Sequence, residues 1–383
     1  MIYLDNSATS YPKPEGVKSA IYKATKYYYS NPGRGGYSNS LITAQKIFEV
    51  REKTAAFFSC EDVQNVVFCL NCTMAINTVI KGILHEGDHV VISDLEHNSV
   101  LRPLETLKRQ NKIKYDVFET DFYSHDITLL HLRQKVQANT KLVICTHASN
   151  VLGIALPIER IGKFCKENHI LFCVDAAQTA GILPIDMHLF GINFLCVAAH
   201  KGLFAPMGTG ILLTDGTPLN SLIEGGTGSA SMRAAQPDFM PDRLESGTPN
   251  VSGIMGIGAG INYINDISLS NIHSCEKKLI LDVYEQLRQF ENIKFYCDYK
   301  KCPCFSNALS FNIDGFPSEE VARILNDNGI ATRAGLHCAP LAHRKIGTTG
   351  AGTVRISPSV FTTQSEINYT IDTIKKIVYR FKK

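Results

Sequence analysis

Residues 170–181 read ILFCVDAAQTAG and residues 194–202 read FLCVAAHKG. Each begins as a short apolar run without polar alternation. Each is then broken by polar residues, Asp175 and Gln178 in the first, His200 and Lys201 in the second. Continuous apolar runs of this length predict strands buried on both faces. Further runs at 66–69, 89–93, 142–146 and 210–213 share that character, and helical patterns cover about 73–84 and 99–110. Strands interleaved with helices predict an α/β fold, a large domain with a mostly parallel sheet between helices. In such sheets ligands sit beyond the carboxyl ends of the strands. The polar residues that follow each run are therefore the candidates.

Those residues are Cys72 and Thr73, His97, Asn150, Asp175, Gln178, His200 and Lys201. Together they suit one cofactor, pyridoxal 5'-phosphate. It needs a lysine amine that burial keeps nucleophilic. It needs a carboxylate opposite the pyridine nitrogen, because the protonated ring is the electron sink. An imidazole can stack on the ring, and amides or hydroxyls at a helix N-terminus can hold the phosphate.

The pattern changes near residue 260. A long helical stretch, 261–290, leads to a strand at 308–313, a helix at 318–328, a strand at 353–357 and a last helix from about 364. The expected division is a large cofactor-binding domain over 15–260 and a smaller α+β domain over 261–383, joined by the segment 1–14. The chain has 383 residues, 44% of them hydrophobic, enough for a sizeable core. Its 39 basic and 36 acidic residues leave a net charge of +3. That balance argues against nucleic acid or an anionic membrane as the main partner. The start, MIYLDNSATSYPKP, has no secretory pattern, and no apolar stretch reaches the ~18 residues that span a bilayer. A cytoplasmic protein is expected. The twelve cysteines show no framework spacing and read as reduced thiols. Cys69 with Cys72, and Cys302 with Cys304, are spaced like half-sites, but no second pair at zinc-ribbon spacing follows, so no metal is expected.

Residues 333–343, RAGLHCAPLAH, set Cys338 between His337 and His343. The stretch alone allows a metal half-site, a nucleophile on a loop, or buried packing. Pro340, just after the cysteine, favours a loop over a packed helix.

DNSATSYPKP, NPGRGGYSNS, LEHNSVLRPL, VDAAQTAG, AAHKG and LESGTPN resemble the class V aminotransferase superfamily of fold-type I pyridoxal-phosphate enzymes. Within it they resemble the cysteine desulfurases. RAGLHCA resembles the short active-cysteine loop of the group II, selenocysteine-lyase-like members. By this resemblance Lys201 is the Schiff-base lysine, Asp175 pairs with the pyridinium nitrogen and Gln178 contacts the ring hydroxyl oxygen. His97 stacks on the ring and shuttles protons. Cys72 and Thr73 hold the phosphate with His200 nearby, and Asn150 serves cofactor and substrate. Thr227, in EGGTGS, reaches the phosphate of a neighbouring subunit, which implies a homodimer with shared active sites. Arg355, in GTVRISPS, binds the substrate carboxylate, and Arg333 shapes the pocket. Ala198 stands where the family often has a serine or threonine, so one phosphate contact is missing. Cys338 becomes the persulfide carrier, with Arg333, His337 and His343 as nearby cations to favour its thiolate. The implied reaction converts L-cysteine to L-alanine and leaves sulfur on Cys338 for a protein acceptor in sulfur metabolism, such as iron–sulfur cluster assembly. A selenocysteine lyase acting on L-selenocysteine, or a class V aminotransferase or β-lyase acting on another amino acid, are the alternatives.

Overall fold

The structure is a computed structural model that describes residues 1–28, 30–32 and 35–380. Gly33 and Arg34 of the NPGRGGYSNS stretch lie outside the described residues.

The chain opens with β1 (Ile2–Tyr3), α1 (Glu15–Tyr27) and α2 (Ser38–Phe58). The apolar runs then form strands as expected: β2 (Val66–Cys69), β3 (Asp88–Ser93), β5 (Thr140–Thr146), β6 (Leu171–Asp175), β7 (Phe194–Ala198) and β8 (Gly210–Thr214). One strand, β4 (Ile113–Phe118), was not legible as an apolar run, because its sequence IKYDVF alternates. It is one of the sheet's two edge strands, bonded to β3 alone, and its middle residues are exposed or half-buried. The seven strands lie in the order β2-β8-β7-β6-β5-β3-β4. Pairing is parallel from β7 to β4, while β8 runs antiparallel to both β7 and β2.

Both faces of this sheet are covered. Val143, Phe172, Val174, Leu195 and Val197 point into one apolar cluster, and Leu142, Ile144, Cys173, Phe194 and Cys196 into the other. The period of two splits each unbroken apolar run between two cores. Helices α3 (Cys72–Ile83) and α4 (Asn98–Arg109) pack on the second cluster. Between the remaining strands run α5 (His125–Lys135) and α6 (Ile158–Glu167).

The expected single helix over 261–290 is two. α7 (Val251–Ile267) and α8 (Leu269–Leu287) meet at Ser268. Its φ of +75° is left-handed, which ends one helix, and its side chain accepts the N–H of Asn271, which caps the next. α7 carries the chain across residue 260 without a break. A second sheet, in the order β12-β13-β10-β9, comprises β9 (Ile293–Phe295), β10 (Leu309–Ile313), β12 (Arg333–Gly335) and β13 (Thr353–Ile356). α9 (Ser318–Asp327) packs on it, α11 (Gln364–Arg380) packs on α8 and α9, and α10 (Pro340–Lys345) follows β12. The N-terminus returns to this second sheet's neighbourhood: β1 pairs with β11 (Ile330–Ala331), and Asp5 bridges to Ser357. No helix among the described residues is long and apolar enough to cross a membrane.

Candidate active site

The strand-end candidates gather at the carboxyl edge of the large sheet. Asp175 is the last residue of β6 and is buried. Its Oδ1 accepts the backbone N–H of Ala177 at 2.9 Å and the thiol of Cys72 at 3.5 Å. Cys72 is the first residue of α3, so that helix's N-terminus abuts the carboxylate. Lys201, just after β7, is close enough to feel Asp175, Arg355, Cys72 and Arg333. Burial lowers its amine below the usual 10.5; Asp175 and Cys72 pull the other way, and the two arginines add to the lowering. Two glycines make this approach possible. A Cβ on Gly181 would lie 2.3 Å from the Gly202 carbonyl oxygen, and one on Gly202 would lie 2.2 Å from that of Ala180. The loops carrying Gln178 and Lys201 thus touch backbone to backbone. Gln178 Nε2 donates to the Ser7 carbonyl at 3.1 Å, which brings the N-terminal segment into the site.

His97 is the N-cap of α4 and is half-buried. Its Nδ1 accepts the backbone N–H of Ser99 at 3.0 Å. A nitrogen accepting a backbone N–H carries no proton, so the neutral ring bears its hydrogen on Nε2. Burial is the largest influence on His97 and lowers it below 6.5; Asp175 opposes this, while Lys201, Arg333 and Arg102 reinforce it. Glu96, beside it, is fully buried, accepts the Thr146 N–H at 2.7 Å, and is pushed up to about 8 by burial. His200 is lowered to about 4, burial again leading, and its carbonyl accepts from Lys13 Nζ at 2.8 Å.

At α3, Asn71 caps the helix by accepting the Met74 N–H at 2.9 Å, and Thr73 stands exposed on the first turn. Ala198 ends β7, buried and without a hydroxyl. Thr227 lies apart from this cluster. Its hydroxyl sits 3.1 Å from Ser229 Oγ, in a groove it lines with Phe48, Met74 and Ile223. Thr227 and Lys201 line different cavities.

The second sheet supplies the opposite wall. Arg355, in the middle of β13, is 1% exposed and pairs across the ladder with Arg333 of β12. Like charges placed directly opposite are unfavourable, and this pair stands where an anion would relieve it. Arg355 Nη2 donates to Asp5 Oδ1 at 2.6 Å, Nη1 donates to the Asn150 carbonyl at 2.8 Å, and Nε has no protein partner. Asp5 was absent from the residues picked by sequence; its signal was the DNSATS stretch itself. Asn150 uses its amide on the cysteine loop, donating from Nδ2 to the His337 carbonyl at 2.6 Å.

That loop is strained. His337 and Cys338 have φ of +46° and +59°, costing about 1–2 kcal/mol each. The cost is borne because the Asn98 N–H donates to the Cys338 carbonyl at 2.8 Å, and His337 Nε2 lies 3.1 Å from Thr353 Oγ1. Asn98 follows His97 directly, so Cys338 sits over the same helix end as the histidine. Of the twelve cysteines Cys338 is the exposed one; the rest are buried or intermediate. The two histidines differ from the sequence expectation. His337 and His343 are 4% and 0% exposed, and burial lowers them to about 2 and about 4. Both are neutral near pH 7 and lend no positive charge to the thiol. The left-handed turn sends the neighbouring side chains to opposite sides, Cys338 outward and the imidazoles into the core.

Pyridoxal phosphate fits this donor set. Lys201 offers a desolvated amine. Asp175 has its Oδ1 committed to protein donors, which leaves Oδ2 for a ring nitrogen. The first turn of α3 supplies N–H groups for a phosphate. His97 presents a neutral ring.

A model of the family described as aminotransferase class-V matches residues 2–370. A probable cysteine desulfurase of Methanothermobacter thermautotrophicus is 33% identical over 385 residues, covering 98% of this chain and 94% of that protein. A probable cysteine desulfurase of Pyrococcus abyssi is 32% identical over 387 residues, covering 99% and 94%. Among solved structures, an apo cysteine desulfurase from Thermococcus onnurineus superposes with a TM-score of 0.91 at 32% identity, covering 99% of this chain and 94% of that one.

Proposed function

The chain belongs to the class-V aminotransferase family, and from that premise we propose that it is a pyridoxal-phosphate-dependent cysteine desulfurase. It converts L-cysteine to L-alanine and leaves the sulfur on Cys338 as a persulfide. The observation that carries the assignment of Cys338 is its place: an exposed thiol on a strained loop fastened to the α4 end that holds His97. Bound at this site, the cofactor supplies an electron sink that lets the substrate's α-proton leave and makes its sulfur electrophilic.

The chain's own residues do the rest. Lys201 would hold the cofactor through Nζ, and burial favours its amine as nucleophile and proton acceptor. Asp175 holds the ring nitrogen's proton in place. Gln178 orients the ring edge. Cys72, Thr73 and His200 take the phosphate end, where Ala198 offers no hydroxyl and His200, neutral, has a buried Nδ1 without a protein partner. His97 would stack on the bound ring, with its Nε2 hydrogen free to donate. Arg355 takes the substrate carboxylate, with Arg333 and Asn150 closing that wall. Atoms balance as cysteine plus enzyme thiol giving alanine plus enzyme persulfide; the sulfur moves to Cys338 Sγ and the proton to the former β-carbon.

We further infer a homodimer. Thr227 lines a groove apart from Lys201, where α2 exposes Phe48, and a second groove that exposed Leu41 also lines. A second copy seated there covers the apolar face and brings Thr227 toward a phosphate. Exposure of Cys338 suits delivery of sulfur to a protein acceptor. Twelve free thiols suit a reducing compartment, the cytoplasm. We also propose the division into a large domain and a smaller one bearing the cysteine loop; the separate sheet that carries Arg333 and Arg355 supports it.

The test is alanine and sulfide formation from cysteine with a thiol reductant. Lys201→Ala should lose the cofactor's visible absorption and all turnover. Cys338→Ala should keep the absorption and lose sulfur transfer. Wild-type turnover by Cys338→Ala would refute the persulfide role.

A further inference from the structure

Hydrogen bonds from Asn98 and from Asn150 fasten the front of the Cys338 loop, beside the His337–Thr353 contact. Its rear runs straight into α10, and α10 is anchored by charge. Lys345, the last residue of that helix, places Nζ 2.6 Å from Asp94 Oδ2. Asp94 directly follows β3, and its carboxylate is itself held by the Thr120 hydroxyl at 2.7 Å and the Thr120 N–H at 3.2 Å. The ammonium also lies 5.2 Å from the centroid of the Phe122 ring. The side chains of Lys345 and Asp94 are 20% and 11% exposed, so solvent screens this pair less than a surface one. It joins the carboxyl edge of the large sheet to the segment bearing the thiol.

The short helix transmits that anchor. The His343 N–H donates to the Ala339 carbonyl at 3.2 Å, the Thr348 N–H donates to the His343 carbonyl at 2.8 Å, and His343 Nδ1 lies 2.7 Å from Thr348 Oγ1. Cys338 is therefore coupled to Lys345 through one closed turn. A left-handed loop relaxes when one of its ends is freed.

We propose that Lys345 is a positioning residue for Cys338: its ion pair with Asp94 latches α10 to the large sheet and holds the strained loop with its thiol at the mouth of the site. This rests on Cys338 being the sulfur acceptor. Lys345 itself bonds none of the residues assigned to cofactor or substrate, so its effect belongs in the transfer step and not in substrate binding.

The experiment compares full-length, cofactor-loaded Lys345→Met and Lys345→Arg with wild type and with Cys338→Ala. For Lys345→Met, kcat for alanine formation should fall at least about tenfold with KM within about twofold, since a displacement near 1 Å costs that much or more. The visible absorption should be unchanged. Amide exchange over residues 336–346 should quicken at least about tenfold and stay at wild-type rates elsewhere. Lys345→Arg, which keeps the charge, should stay within about threefold of wild type in kcat, and Asp94→Asn should reproduce the Met variant. If Cys338→Ala is inactive while Lys345→Met keeps either wild-type kcat or wild-type local exchange, the latch is refuted. If Cys338→Ala turns over at the wild-type rate, the reading of Cys338 has failed instead.

Discussion

Replacing Glu276 by glutamine should flatten the loss of stability with rising pH. Glu276 lies on α8 and is 2% exposed. It accepts the Val360 N–H, its Oε2 has no protein partner, and it shares a small cavity with Lys201, Gln178 and Asn307. Burial pushes its carboxyl from 4.5 up to about 8. A folded-state value above the unfolded one means that the stabilising contribution is complete below pH 4.5 and is lost as pH rises through about 8. At roughly 1.4 kcal/mol per tenfold change, that loss is on the order of 2 kcal/mol at pH 6 and 5 kcal/mol at pH 9. Between those values the wild type therefore gives up about 3 kcal/mol through this one group. A neutral amide of the same shape gives up none. Its new NH2 has Asn307 Oδ1, also without a protein partner, as an acceptor on the same cavity wall. With an unfolding entropy of about 2.1 cal/mol/K per residue over 383 residues, 3 kcal/mol corresponds to a shift of about 4 °C. The chain has no tryptophan, so the midpoint is read by far-ultraviolet circular dichroism on the holoenzyme at pH 6 and pH 9. Glu96, also raised to about 8 by burial, contributes a similar slope to both proteins, which makes the difference between them the diagnostic quantity. Equal pH slopes for wild type and Glu276→Gln would rule out a raised Glu276 carboxyl in the folded protein.

Two further outcomes concern the site. Arg355→Lys cannot reach both Asp5 and the Asn150 carbonyl while also offering a two-pronged face to a carboxylate; kcat/KM should fall about 100-fold, chiefly through KM, and steady-state kinetics showing less than a threefold change would count against the assignment. His97 is held below 6.5 mainly by burial; the wild-type pH–rate profile for kcat/KM should therefore lose activity on its acid side only below pH 6.5, and in His97→Gln that limb should disappear along with most of the rate.

Local sequence determined much of this protein. Unbroken apolar runs such as LFCVD and FLCVA can satisfy both faces only inside a covered sheet, so the strands and the polar residues at their ends were legible from residue type and order alone. Where the local pattern was weaker, it misled: IKYDVF is broken by polar residues because the middle of β4 is exposed or half-buried, and Ser268 divides one apparent helix by adopting a left-handed backbone that no residue type announces. The site divides in the same way. Lys201, Asp175 and His97 are brought together by the parallel sheet, whose register follows from the strands themselves. Asp5 on Arg355, Ser7 on Gln178 and Asp94 on Lys345 join residues separated by 350, 171 and 251 positions, a distance over which sequence carries no geometric signal. RAGLHCAPLAH is the sharpest case. Sequence placed two histidines beside Cys338 and suggested cations. Tertiary packing buried both rings and made them neutral, because removing an imidazolium from water costs more than the surroundings return, and it left the thiol alone at the surface.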